Sequence, residues 1–237
     1  MKKLVFTLLM LLTLSMSAQE NDVIKFMGIP VDGTKSEMIA QLKKKGFTLK
    51  TINNNEFLEG KFNGESVHVY VHTNNDVVDR IVVHQEKTSN ESNIKIKFNN
   101  LVRQFNNNDK YFPEYQDQYI GEREDISYEM SVHSKRFQAS FYQKHSKQEE
   151  DLIKQDIYDN YNVYLDKLLD NEALKEYADE IRNGEKDDNV NRLFAVIEFA
   201  YMMNNQVWFM ISEFEYDEYY ISIFYDNLRN RPNGEDL

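Results

Sequence analysis

The apolar positions of this chain keep two periods, and the periods take turns along it. Met38, Ile39 and Leu42 recur at helical spacing. From Phe47 the period drops to two. Val67, Val69 and Val71 alternate with His68, Tyr70 and His72, so a strand there has one apolar face and one mixed face. Strands are expected over 47–52, 57–62, 67–72 and 77–84. Asn53-Asn54-Asn55, Asn63-Gly64 and Asn74-Asn75-Asp76 separate them, and Asn-Gly is a strong hairpin signal. The helical period returns at Ile94, Phe98, Leu101, Val102 and Phe105 and stops at Asn106-Asn107-Asn108. A polar, aromatic loop follows through Tyr111, Phe112, Pro113, Tyr115 and Tyr119. Ile126, Tyr128, Met130 and Val132 alternate, as do Phe137, Ala139 and Phe141, which predicts two more strands. Residues 143–205 read as helix, with stripes running from Leu152 to Leu168 and from Val190 to Tyr201 and a short helix over 173–181. Two strands, 207–214 and 219–226, close the pattern, and the tail from Asn227 is expected to be loosely held.

The first helix is punctuated at both ends. Thr34 stands at the N-cap with Glu37 three residues on, the spacing of a capping box. Lys43, Lys44 and Lys45 fall in the last turn, where positive charge opposes the negative end of the helix dipole. Gly46 supplies the left-handed residue of a Schellman stop, and Phe47 can fold back on Leu42.

Without residues 143–205, the second half repeats the order of the first, a helix and then four strands. The expected fold class is therefore α+β: two tandem helix plus four-stranded antiparallel sheet units, with an α-helical insert in the second. The units run over 19–87 and 88–237, behind a signal peptide at 1–18. In that signal Lys2 and Lys3 form the basic region, Leu4 to Leu14 the apolar run, and Ser15 to Ala18 the cleavage region, with cleavage near Ser17 or Ala18. The apolar run is too short to span a bilayer. The expected location is extracytoplasmic, periplasmic or secreted.

The chain has no Cys, which removes disulfides, thiol catalysis, thiolate metal sites and a lipid-modified N-terminus. Its formal charge of −12 becomes about −14 once Lys2 and Lys3 leave. That balance argues against nucleic acid and anionic lipid as partners, since both reward basic patches.

Phe26-Met27-Gly28-Ile29-Pro30-Val31-Asp32-Gly33-Thr34 near the start and the stretch from Tyr225 to Leu237 resemble uncharacterised secreted bacterial proteins. The order of elements resembles the β-lactamase-inhibitor-protein fold and the small-protein-A type of outer-membrane assembly lipoprotein. The inhibitor-like resemblance implies a concave sheet that grips another protein, and no inhibitory loop can be matched to it. Pro30-Val31-Asp32-Gly33-Thr34 also resembles the nucleophile loop of haloacid-dehalogenase-type phosphatases. Pro30 occupies the place of the nucleophilic Asp, which excludes that chemistry.

Candidate chemistry is sparse. His68 and His72 sit about 13 Å apart along one strand at ~3.3 Å per residue, too far to share an ion, and His84 adds one ligand at most. No metal or other cofactor is expected. No Gly-x-Ser-x-Gly elbow, phosphate loop or calcium loop is present. Carboxylates are too abundant for any pair to be informative by itself; Glu129 and Asp226, read as strand residues, could meet across the second sheet, as a hydrolase of cell-wall or dietary polymers would need.

The unusual feature is aromatic. Val207, Phe209 and Ile211 point one way and Trp208, Met210 and Phe214 the other; Tyr219, Ile221, Ile223 and Tyr225 oppose Tyr220 and Phe224. One face packs on a helix, and the other needs a cover, because large apolar patches are rare on monomers. The helical insert is one cover, and a small apolar ligand held beneath it is another arrangement. The third is a partner, a protein or an envelope polymer, anchored on Trp208, Tyr220 and Phe224 with Tyr142 beside them. The leading expectation is a non-catalytic binding or scaffolding module.

Overall fold

The computed structural model describes residues 23–170, 175–183, 185–215 and 217–231. The signal peptide at 1–18 and the last residues of the tail lie outside them. The chain is α+β. Two compact units are present, one over Lys144–Met203 and the other over Val23–Gln143 with Asn204 onward.

In the larger unit a short hairpin comes first, β1 (Lys25–Phe26) and β2 (Ile29–Pro30), followed by helix α1 (Lys35–Lys44). The α1 caps form as their residues dictate. The Glu37 N–H donates to Thr34 Oγ1 at 3.3 Å, and the Thr34 N–H donates to Glu37 Oε2 at 3.0 Å. At the other end Gly46 has φ +96°, its N–H donates to Lys43 O at 3.0 Å, and the Phe47 N–H donates to Leu42 O at 3.2 Å. Those are the two bonds of a Schellman stop.

Four strands follow: β3 (Thr48–Ile52), β4 (Asn55–Phe62), β5 (Glu65–Asn74) and β6 (Val77–Gln85). Each turn between them is two residues led by Asn, with both φ positive: Asn53-Asn54, Asn63-Gly64 and Asn75-Asp76. Such turns carry the twist that antiparallel strands need. Helix α2 (Glu91–Asn106) is capped by Asn90 and buries Ile94, Phe98, Leu101, Val102 and Phe105, the stripe expected from spacing. After it come β7 (Tyr111–Pro113), helix α3 (Ile126–His133) and β8 (Gln138–Gln143), then β9 (Asn205–Glu215) and β10 (Glu218–Asn227).

Two expectations change here. Ile126 to Val132 is helix α3, not a strand. Asp125 caps it by accepting from the Tyr128 N–H at 2.8 Å, Ile126 is buried, and Tyr128 and Val132 are exposed. The strand beside β8 is instead β7, taken from the expected loop, with Phe112 opposite Tyr142. The tail is also pinned as far as Arg231. Asn230 Nδ2 donates to Asp32 Oδ1 and Val78 O, both at 2.9 Å, and Asn74 Nδ2 donates to Asn230 O at 2.8 Å.

The strands β3 to β10 form one antiparallel sheet in the order β3-β4-β5-β6-β10-β9-β8-β7. The "second sheet" of the sequence reading is thus one half of a continuous sheet. The halves meet where β6 pairs with β10, through Ile81↔Tyr225, Val82↔Phe224 and Val83↔Ile223. One inner row runs Leu58, Val69, Val83, Ile223, Phe209, Ala139, and every member is buried. Helix α1 lies against β3, β5 and β6, and α2 against β7, β9 and β10, so both close a single core.

The smaller unit holds α4 (Lys147–Asp159), α5 (Tyr161–Leu169), α6 (Lys175–Arg182) and α7 (Lys186–Asn204). A capping box between Ser146 and Glu149 starts α4. The unit has its own core, including Ile153, Ile157, Leu165, Ile181 and Leu193. Within it the buried His145 ring stacks on Tyr201 at 3.7 Å and bonds through Nδ1 to Glu198 Oε2. Among the described residues no helix is long and apolar enough to cross a membrane.

Gly60 on β4 faces Phe47, and a Cβ at Gly60 would lie 2.4 Å from Phe47 Cδ1. The Gly60→Ala variant is expected to lose about 1–3 kcal/mol in urea unfolding, the cost of forcing a buried ring from its place. Adding Phe47→Leu to that variant should return part of the loss.

Candidate functional site

Strand alternation places every second side chain on the outer face of the sheet, away from α1 and α2. Three cross-strand rows of this face matter. The first passes through Glu59, His68, His84, Ser222 and Met210. The second holds Tyr70, Val82, Phe224 and Trp208, with the Phe57 ring 5.8 Å from that of Tyr70. The third runs His72, Arg80, Asp226, Gln206, Tyr142 and Phe112. The outer face therefore carries rings from β4 at one side to β7 at the other.

Its centre is built on Asp226, whose side chain is 0% exposed. Arg80 reaches it from β6, donating through Nε to Oδ1 at 2.5 Å and through a terminal nitrogen to Oδ2 at 3.2 Å. Trp208 donates its indole N–H to Oδ2 at 2.7 Å, and Arg231 donates to the same oxygen at 2.7 Å. Burial pushes the Asp226 carboxyl above the usual carboxylate range, against the lowering pull of Arg80 and Trp208; the nearby Asp79 charge adds to the rise. All of its bonded partners are donors, so the ionised form is the one this geometry accommodates.

The same guanidinium orders the rings above it. Trp208 and Phe224 stack at 3.9 Å with an interplanar angle of 9°, and Arg80 lies 5.9 Å and 5.4 Å from their respective centroids. Trp208 is thus held by an aromatic neighbour and by a hydrogen bond at its edge, which leaves little rotamer freedom to lose on binding.

His84 sits between Tyr70 and Tyr220, with centroids at 5.2 Å and 5.6 Å, and its Nδ1 lies 2.8 Å from Ser222 Oγ. Burial, then the charges of His68 and His72, lower its pKa, so the ring is neutral near pH 7. On the third row Tyr142 meets Glu114. Burial first, then the Glu114 charge and hydrogen bond, push its phenol up to about 12.

Of the four expected anchors, Trp208 and Phe224 are brought together. Tyr142 stands one strand away on the adjoining row, opposite Gln206. Tyr220 lies about 13 Å from Phe224 along β10 at ~3.3 Å per residue, beside His84 instead. All four share the outer face and are half-exposed. Phe214, expected with them, is 62% exposed near the end of β9.

The carboxylate pair does not form. Glu129 is on helix α3 and bonds His133 Nδ1 at 2.9 Å, while Asp226 is committed to Arg80, Arg231 and Trp208. Among the described residues no three His, Cys, Asp or Glu side chains converge to hold a metal ion. The histidine that His84 faces across the strands is His68, one of the two considered from sequence, while the roles of Arg80 and Arg231 were missed. Parity would have put Arg80, Val82 and His84 on one face; nothing local foretold that β6 lies beside β10.

Comparison of the chain with protein-family models, with curated proteins and with solved structures returns no match.

Two pH responses follow. Arg80→Ala leaves a buried carboxylate short of its main partner, so it is expected to cost about 3–5 kcal/mol near pH 7. Losing Arg80 raises the Asp226 pKa further, so the folded variant takes up a proton before its unfolded chain does, and the deficit against wild type shrinks as pH falls through the acid range. Urea unfolding over a pH series reads both. For His84 the sign is opposite: its folded pKa is below the unfolded value, so its contribution is complete above about pH 6.5 and is lost as pH falls through that range. His84→Gln should flatten the acid-side fall in stability.

Proposed function

We propose that this protein is an extracytoplasmic, non-catalytic binding module, and that the outer face of its sheet engages a protein or an envelope polymer. The observation that carries this reading is the half-exposed run of rings across the outer rows, with Trp208 fixed at its centre by Phe224, Arg80 and Asp226. Trp, Tyr and Arg are the side chains on which interfaces most often concentrate their energy. A rigid platform of this kind binds with little ordering cost.

The architecture supports the same reading. The first half runs helix and then four strands, α1 with β3 to β6; the second holds α2 with β7 to β10, interrupted by α3 and by the smaller helical unit, and the sheet order reverses at the junction. The halves are read as two copies of one pattern, set side by side so that one wide face results. That face spans about 34 Å at ~4.8 Å per strand spacing, broad enough for an extended ligand. The basic and apolar stretches of residues 1–18 support a location outside the cytoplasm in this reading.

The test is capture from envelope extracts and culture fluid by the immobilised chain. Wild type is expected to retain a defined partner, and the Trp208→Ala, Tyr220→Ala double variant to retain less than about a tenth of it, a loss of about 1.4 kcal/mol or more. Circular dichroism and urea unfolding must show that variant folded. Equal capture by a folded double variant removes this face from the account.

A further inference from the structure

β3 is an edge of the sheet, and the phase of its backbone can be derived. The turn after it has two residues, Asn53 and Asn54, with φ 51° and 64°. In such a hairpin the closing pair, Ile52↔Asn55, exchanges its hydrogen bonds across the strands. Alternation makes Lys50↔Phe57 and Thr48↔Glu59 bonded pairs as well. Leu49 and Thr51 fall between them and turn their N–H and C=O groups outward. Among the described residues no backbone group beyond the sheet bonds either of them.

The two edges of the sheet are finished differently. β7 is three residues long and ends in Pro113, which has no N–H to offer. β3 is five residues long, holds no Pro and pairs with β4 without a register shift. Its only guard is charge. From Lys35 to Lys61 there are six lysines and three glutamates, in a chain whose net charge is −12. The glutamates are engaged: Glu37 caps α1, Glu56 pairs with Lys35 at 3.1 Å, and Glu59 pairs with Lys50 at 3.5 Å. Lys43, Lys44, Lys45 and Lys61 are exposed. The helix dipole accounts for lysines at the end of α1. It does not account for Lys50 on β3 or Lys61 on β4.

We propose that the β3 edge takes an extended, acidic peptide segment of a partner protein as a ninth strand. The peptide backbone bonds the outward groups of Leu49 and Thr51. Its acidic side chains lie on the face that carries Lys50 and Lys61, and its apolar ones lie beside Leu49, which packs partly on the core. A second copy of this chain is the poorer occupant. The register that uses Leu49 and Thr51 of both copies sets Lys50 opposite Lys50, and like charges directly opposed across strands are destabilising. This edge lies five strands from Trp208 along the sheet, and neither reading requires the other.

The probe is a dye-labelled peptide of about seven alternating valines and glutamates, roughly the length of an ordinary strand, titrated with the full chain and followed by anisotropy and amide exchange. Saturable binding that weakens with salt is expected, together with slowed exchange at Leu49 and Thr51. Thr51→Pro removes one outward N–H and spares the bonds to β4, and it should weaken binding about tenfold, whereas Thr51→Val should not. Lys61→Glu should weaken it as well, and this variant, on β4, leaves β3 untouched should the proline unfold the hairpin. Four results would overturn the proposal: no binding, equal binding of a valine–lysine peptide, binding indifferent to both variants, or binding lost only in Trp208→Ala. A concentration-dependent dimer abolished by Thr51→Pro would also overturn it, because the edge would then belong to a second copy.

Discussion

The pairing of β6 with β10 is the contact on which the rest of this structure depends. It joins residues far apart in the chain, Arg80 to Asp226 and Val83 to Ile223, and turns two sets of four strands into one sheet. Because both helices lie against the same inner surface, the junction also merges two partial cores into one. The pairing therefore makes one core of the buried residues on both sides of it.

The junction also explains the odd chemistry of the outer face. A sheet buried on one side needs only its inner residues to be apolar, yet β9 and β10 carry bulk on both sides. At the seam that bulk is organised rather than merely greasy. Asp226 sits without solvent contact because Arg80 from the neighbouring half and Arg231 from the tail neutralise it. A buried ion pair is seldom a net source of stability, and its better-attested use is to select one arrangement over others. Here it ties β6 to β10 in the register of the junction, and the same carboxylate holds Trp208 from β9. The carboxylate that takes part in the junction pairing thus also fixes the Trp208 ring.

Much of this was legible in the residues. Thr34, Glu37, Gly46 and Phe47 state the limits of α1, and each forms the bond its type suggests. The outer position of Trp208, Tyr220, Phe224 and Tyr142 follows from parity alone. Ile126 to Val132 misled because a period of two over seven residues also contains i, i+4 pairs, and Ile126 with Met130 is one of them. Asp125 was the available helix signal. The partners of Asp226 were not legible. Arg80 lies 146 residues away, and no local pattern says which strand will become its neighbour. The tail misled for the same reason: Asn230 and Arg231 are polar and look solvated until Asp32, Val78 and Asp226 are brought beside them.

The most direct measurement is nuclear magnetic resonance of isotope-labelled protein, read for backbone contacts across the junction. The account predicts cross-strand Overhauser effects joining Ile81 to Tyr225 and Val83 to Ile223, with the indole proton of Trp208 shifted by its bond to Asp226. Absence of those contacts, or β6 and β10 each found paired to some other strand, would contradict it.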